Sequence, residues 1–230
     1  MANDTPPTGN RTTSVNLVRS SNPWTSANSA AGFVLRYLIV VRKQLIAVLG
    51  SSERADECLK ILIAHLVSVG FGEHKKGRLR DFLIRAIRTT AKARISDLTV
   101  SERPTTDIDS VLSDNEQWLS LWRTGLLERA WRSLERKEHI DPQRPLFSVL
   151  HCATTKPKQP GQSLRERLKS ERGVELGEAD IQSLLPVARA SFAQLLADEV
   201  AETLEKPTKE DVKAELKTLG LTKAFDGMSI

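Results

Sequence analysis

GRLRDFLIRAIRTTAKAR (77–94) is the stretch whose reading decides the fold class of this chain. At helical spacing Leu79, Phe82, Leu83, Ala86, Ile87 and Thr90 fall on one face suited to a core, which predicts an amphipathic helix. Arg78, Asp81, Arg85, Arg88 and Lys92 fall on a second stripe, in steps of three and four. From His74 to Arg94 eight Lys/Arg face a single acid, Asp81. Such a run serves as a solvated helix face, or it lays guanidinium groups along a phosphate backbone, which gives affinity without base reading.

The helical period extends in both directions. Residues 31–49 read as one helix closed by Gly50, and within it FVLRYLIVV (33–41) is broken by Arg36 and closed by Arg42 and Lys43, far short of the ~20 apolar residues of a membrane span. Ser51 or Ser52 caps the next helix, which opens on Glu53 and runs to about Val69. After a less regular stretch, EQWLSLWRTGLLERAWRSLERKE (116–138) carries Trp118, Trp122, Leu126 and Ala130, flanked by Leu119, Leu127, Trp131 and Leu134, on a wide apolar stripe. PLFSVLHCA (145–153) reads as a helix; SLRERLKSERG (163–173), a turn, and 180–205 read as helix, turn and helix. The tail, 206–220, opens with Pro207 at a helix start and Thr208 as a cap, and closes at Gly220. No segment alternates as a strand does.

The expected fold is therefore all-α: two small helical domains joined by a flexible linker, the second containing a helix-turn-helix. The Ser/Thr/Asn/Pro-rich residues 1–29 are expected to be disordered, with Trp24 tacking down their end. Residues 30–95 form the first domain, 96–115 the linker around Pro104, 116–205 the second domain and 206–230 a helical extension.

A chain of 230 residues that is 40% apolar and 27% charged has the balance of a folded protein, and a net charge of +5 suits an anionic partner. Cys58 and Cys152 make no disulfide framework, and no secretory leader pattern opens the chain, so a cytoplasmic protein without a membrane partner is expected. His65, His74, His139 and His151 form no metal-binding pair, and no nucleophile is spaced with a base; no catalytic residue, metal or cofactor is assigned. GEHKKGRL (72–79) has the glycine spacing of a phosphate loop, but Arg78 and Leu79 stand where Lys and Ser/Thr would hold phosphate and magnesium.

Taken together, ADE (55–57), the apolar helix through Val67, Phe71 and GRLRDFL (77–83), followed by WLSLWRTGLLERAWRSL, PLFSVL, FAQLLADEVAETLEKPT and ELKTLGL, resemble in order and spacing the extracytoplasmic-function class of bacterial RNA polymerase sigma factors. The resemblance covers about residues 30 to 221. It implies a first domain that melts promoter DNA, a second that reads the upstream element, and no catalysis by the chain itself. The implied partners are core RNA polymerase and promoter DNA, with an inhibitory regulator as a further expectation. Asp56, Glu57 and Lys60 fall at polymerase-contact positions. Lys75, Lys76, Arg78, Arg80, Arg85, Arg88 and Lys92 are placed for DNA in the first domain, and Gln182, Ser183 and Arg189 in the second, with Arg165, Arg167 and Lys169 of the preceding helix placed for the DNA backbone. The chain departs from the family pattern at Lys60 and Ile61, and at Pro186 and Val187, which stand where the recognition helix carries Arg and His. Those departures define the alternative expectation, a sigma-like protein with a degenerate DNA-reading surface acting as a regulatory or protein-interaction module.

Overall fold

The structure, a computed structural model, describes residues 14–19, 22–74, 76–97, 115–157 and 160–230. Among them nine α-helices and short 3-10 turns account for the regular structure, with no strand: α1 (Ala30–Leu35), α2 (Leu38–Leu49), α3 (Ser52–Ser68), α4 (Leu79–Ser96), α5 (Asn115–Ile140), α6 (Leu146–Thr154), α7 (Leu164–Arg172), α8 (Glu178–Glu202) and α9 (Lys209–Thr218).

Local chemistry sets most of the boundaries. The Ser29 and Ser51 hydroxyls accept from the Gly32 and Arg54 amides at the starts of α1 and α3, and Gly50, at φ 66°, ends α2 in the left-handed conformation that costs glycine least. Reciprocal capping pairs, Ser163 with Glu166 and Thr208 with Asp211, start α7 and α9. The expected helix start at Pro207 therefore moves on by two residues, to Lys209. The single helix expected over 31–49 is two helices, because the chain tightens at Arg36 and Tyr37, whose amides bond back three residues to Phe33 and Val34. That turn aims both side chains at Glu199 of α8.

The two blocks expected as separate domains share one hydrophobic core, which runs from Val15 to Phe225. α5 lies against α8, α6 and α2, while α3 and α4 pack on α2 from the other side. Along α5, Trp118, Trp122, Leu126, Ala130 and Leu134 are all buried, as their spacing predicts. Trp122 stacks on Tyr37 with ring centroids 4.7 Å apart. Beside it Gly125 lets α2 come close, since a Cβ there would meet Val40 Cγ2 at 2.4 Å. Gly125→Ala gains about 1 kcal/mol of helix propensity but overpacks the crossing by about 1–3 kcal/mol, so denaturant unfolding is expected to show a net loss that disappears in a Val40→Ala background. An unchanged or higher midpoint for the single variant would mean that α2 and α5 do not approach so closely.

Disorder through residue 29 does not hold for the described part of that segment. Leu17 and Trp24 are fully buried, the Val15 amide donates to the Ser229 carbonyl, and Asn16 and Gln194 exchange two hydrogen bonds. Apolar anchors and paired backbone groups outweigh the polar composition. Residues 1–13 and most of the expected linker, 98–114, lie outside the described residues.

α4 is rotated from its expected facing. Leu79, Leu83, Ile87 and Ala91 are buried, Phe82, Ala86 and Thr90 are only half-buried, and Arg80 turns inward. The C-terminal extension explains this rotation, because Glu215 of α9 packs against that side of α4.

A candidate nucleic-acid interface

Arg85, Arg88 and Lys92 are exposed along one side of α4 and rise about 10 Å along its axis. With phosphates spaced at about 3.4 Å per nucleotide along a stacked strand, that span matches about three of them. Lys76 and Arg78 are exposed just before the helix, and Lys75 lies outside the described residues. Beside the stripe, α3 and α4 enclose an apolar groove of about 660 Å3, floored by Leu62, Leu66 and Phe82 and edged by Ile61, His65 and Arg85.

Arg80 does not belong to this surface. It is 5% exposed, its Nε donates to Glu215 Oε1 at 2.6 Å and its Nη2 to Glu215 Oε2 at 3.2 Å, while Nη1 reaches Asp81 at 2.9 Å. Burial alone would lower its pKa, but the hydrogen bonds and charge of Glu215 outweigh that and raise it, so the guanidinium stays charged. Arg78 remains 44% exposed and meets the same carboxylate at 3.2 Å.

The acids expected to touch polymerase are on the surface of α3, each held by an arginine. Arg42 donates to both oxygens of Asp56, at 2.6 and 2.9 Å, and these hydrogen bonds hold the Asp56 carboxyl below its ordinary range. Arg94 donates to Glu57 at 2.6 Å. Such surface pairs are worth about 0–1 kcal/mol, so neither acid is barred from another cation. Lys60 is exposed one turn further along α3.

On the second block Arg165, Gln182, Ser183 and Arg189 are all exposed, although the Ser183 hydroxyl donates to the Asp180 carbonyl at 2.8 Å. α8 continues through Pro186, which is exposed. The carbonyl that loses its donor there is that of Gln182, an exposed residue. Arg167, by contrast, is buried and caps the end of α6, donating to the carbonyls of Cys152, Thr155 and Lys156.

Sequence reasoning missed the acids that organise the interior. Glu199 is 7% exposed and receives Arg129 through Nε at 2.7 Å and Nη2 at 3.0 Å, Arg36 at 3.3 Å and the Tyr37 hydroxyl at 3.4 Å. Burial pushes the Tyr37 phenol far up, keeping it a donor. Glu205 accepts from the Gly77 amide at 2.8 Å. The available signal was an acid inside an apolar stripe: Glu199 among Phe192, Leu196 and Val200, and Glu215 between Val212 and Leu216.

Cys58 and Cys152 are buried thiols whose pKa values burial pushes up, as expected of packing residues rather than nucleophiles. Among the described residues no group of His, Cys, Asp and Glu is arranged to hold a metal ion, and no helix is long and apolar enough to cross a membrane. No protein-family model, no curated protein and no solved structure matches this chain.

Proposed function

We infer that the chain is a sigma-class transcription factor: it docks on core RNA polymerase through α3 and presents the basic side of α4 to promoter DNA, without itself catalysing a reaction. The observation that carries this reading is the exposed row Arg85, Arg88 and Lys92, preceded by exposed Lys76 and Arg78. Cations on a rigid helix at this spacing bind phosphates in a salt-dependent and sequence-tolerant way, as contact with a melted strand requires. In this reading the two blocks are the two promoter-contacting units, and α7 with the start of α8 is the helix-turn-helix that offers Arg165, Gln182, Ser183 and Arg189.

The test uses Arg85→Ala/Arg88→Ala, because both side chains lie outside the core. Binding of labelled oligothymidylate is followed by anisotropy across a salt series. Loss of two phosphate contacts is expected to lower the slope of log K against log salt by about 1.4, with the melting temperature unchanged. An unaltered slope would remove α4 from the interface.

The second reading, a sigma-like regulatory module, is favoured by one observation: Arg80 and Arg78 are engaged by Glu215 of the chain itself. It predicts no strand binding that depends on Arg85 or Arg88.

A further inference from the structure

The end of the second block and the C-terminal extension together meet the start of α4. Glu215 takes both Arg80 and Arg78, the Leu79 amide donates to the Thr203 carbonyl at 2.8 Å, the Gly77 amide donates to Glu205 at 2.8 Å, and Arg78 forms an isolated antiparallel bridge with Leu204. Trp24 closes the assembly from beneath, its indole nitrogen donating to the Gly77 carbonyl at 3.2 Å. The Gly77 and Leu79 amides, the Gly77 carbonyl and the Arg78 and Arg80 guanidinium groups thus each meet a partner from beyond residue 202 or from the N-terminal arm. Carboxylates occupy the guanidinium groups that lead into the exposed basic row.

We propose that residues 203–218 are a clasp, in which Glu215 and Glu205 stand in for phosphate on Arg78, Arg80 and the Gly77 amide, so that strand binding and clasp closure compete. The inference rests on the nucleic-acid reading of α4. A carboxylate and a phosphate oxygen make the same charge-assisted hydrogen bonds to a guanidinium, so one excludes the other at a given donor. A polyanion that binds only the open form shifts the equilibrium by its differential affinity, and a weakened clasp raises apparent affinity by enlarging the open fraction. The closed state is held by more than charge, since Val212 and Leu216 of α9 are buried. Opening is therefore a rare excursion in the free chain, and the occupied donors are withheld from a passing anion.

The experiment compares the full chain with Glu215→Gln, using the same oligothymidylate and salt series, with hydrogen exchange at the Gly77 and Leu79 amides read in parallel. The clasp predicts tighter binding by Glu215→Gln and a slope steeper by about 1.4, as Arg78 and Arg80 each gain a phosphate. It also predicts that oligothymidylate speeds exchange of the two amides in the wild-type chain. If Glu215→Gln does not fold, Glu205→Gln is read in its place, with the Gly77 amide as its reporter and a smaller gain in affinity. Binding that depends on Arg85 and Arg88 but is unchanged by either glutamate substitution, with amides that exchange no faster on binding, overturns the clasp and leaves the reading of α4 intact. Binding by neither wild type nor variant overturns both.

Discussion

Glu199→Ala is expected to destabilise the protein by about 3–5 kcal/mol, the cost of removing one partner from a buried ion pair. The size follows from what the substitution strands. Arg129 loses its bidentate partner, Arg36 keeps only Glu202, at 2.6 Å, and the Tyr37 hydroxyl is left beside two guanidinium groups. Because Arg36 and Tyr37 come from the first block while Arg129 and Glu199 come from the second, the loss also loosens the contact between them. Urea unfolding would show a large fall in midpoint. Glu199→Gln, which keeps hydrogen-bonding atoms in place without the charge, should fall between wild type and the alanine variant. A loss below about 1 kcal/mol for Glu199→Ala would mean that water reaches the carboxylate and that the junction is an ordinary surface pair.

Trp24→Ala is expected to cost a similar amount, about 3–5 kcal/mol, as other buried Trp-to-Ala truncations do. Trp24 is fully buried, packs edge-on against Phe71 with centroids 4.9 Å apart, and lies 5.5 Å from Phe82. Its removal leaves a cavity beneath the loop that leads into α4, and it strips the Gly77 carbonyl of its donor. Thermal melts should show the loss, and hydrogen exchange should place the greatest loosening at 71–79. A melting temperature that did not move would mean that the N-terminal arm is detached in solution.

These two expectations mark where sequence reading stops. The facing of α5 was legible because an unbroken stripe of tryptophan and leucine has one way to be buried, and the caps at Ser51 and Thr208 and the stop at Gly50 were legible because their chemistry acts within four residues. The facing of α4 was legible only in part. Leu79, Leu83 and Ile87 are core, as read, but Arg80 was assigned to the surface since its partner, Glu215, is 135 residues away. Trp24 was recognised as an anchor, but not Leu17, because a polar segment that wraps a core shows no period of its own. The same limit applies to the candidate interface. The basic row Arg85, Arg88 and Lys92 was visible from spacing, whereas the use of Asp56, Glu57 and Arg78 in ion pairs depends on which helices meet. Gly125 could have been flagged as a glycine inside a helical stripe, a position that signals close packing when nothing else requires it.

The sigma-class account stands most directly on polymerase binding. Core RNA polymerase purified from the source organism is mixed with the full chain at moderate salt and resolved by size exclusion, with a known sigma factor run as a control. The account predicts that the chain co-elutes with polymerase, and that reversing the charge of Asp56 and Glu57 to lysine releases it while the fold is retained. A chain that elutes alone, while the control sigma factor co-elutes, would contradict it.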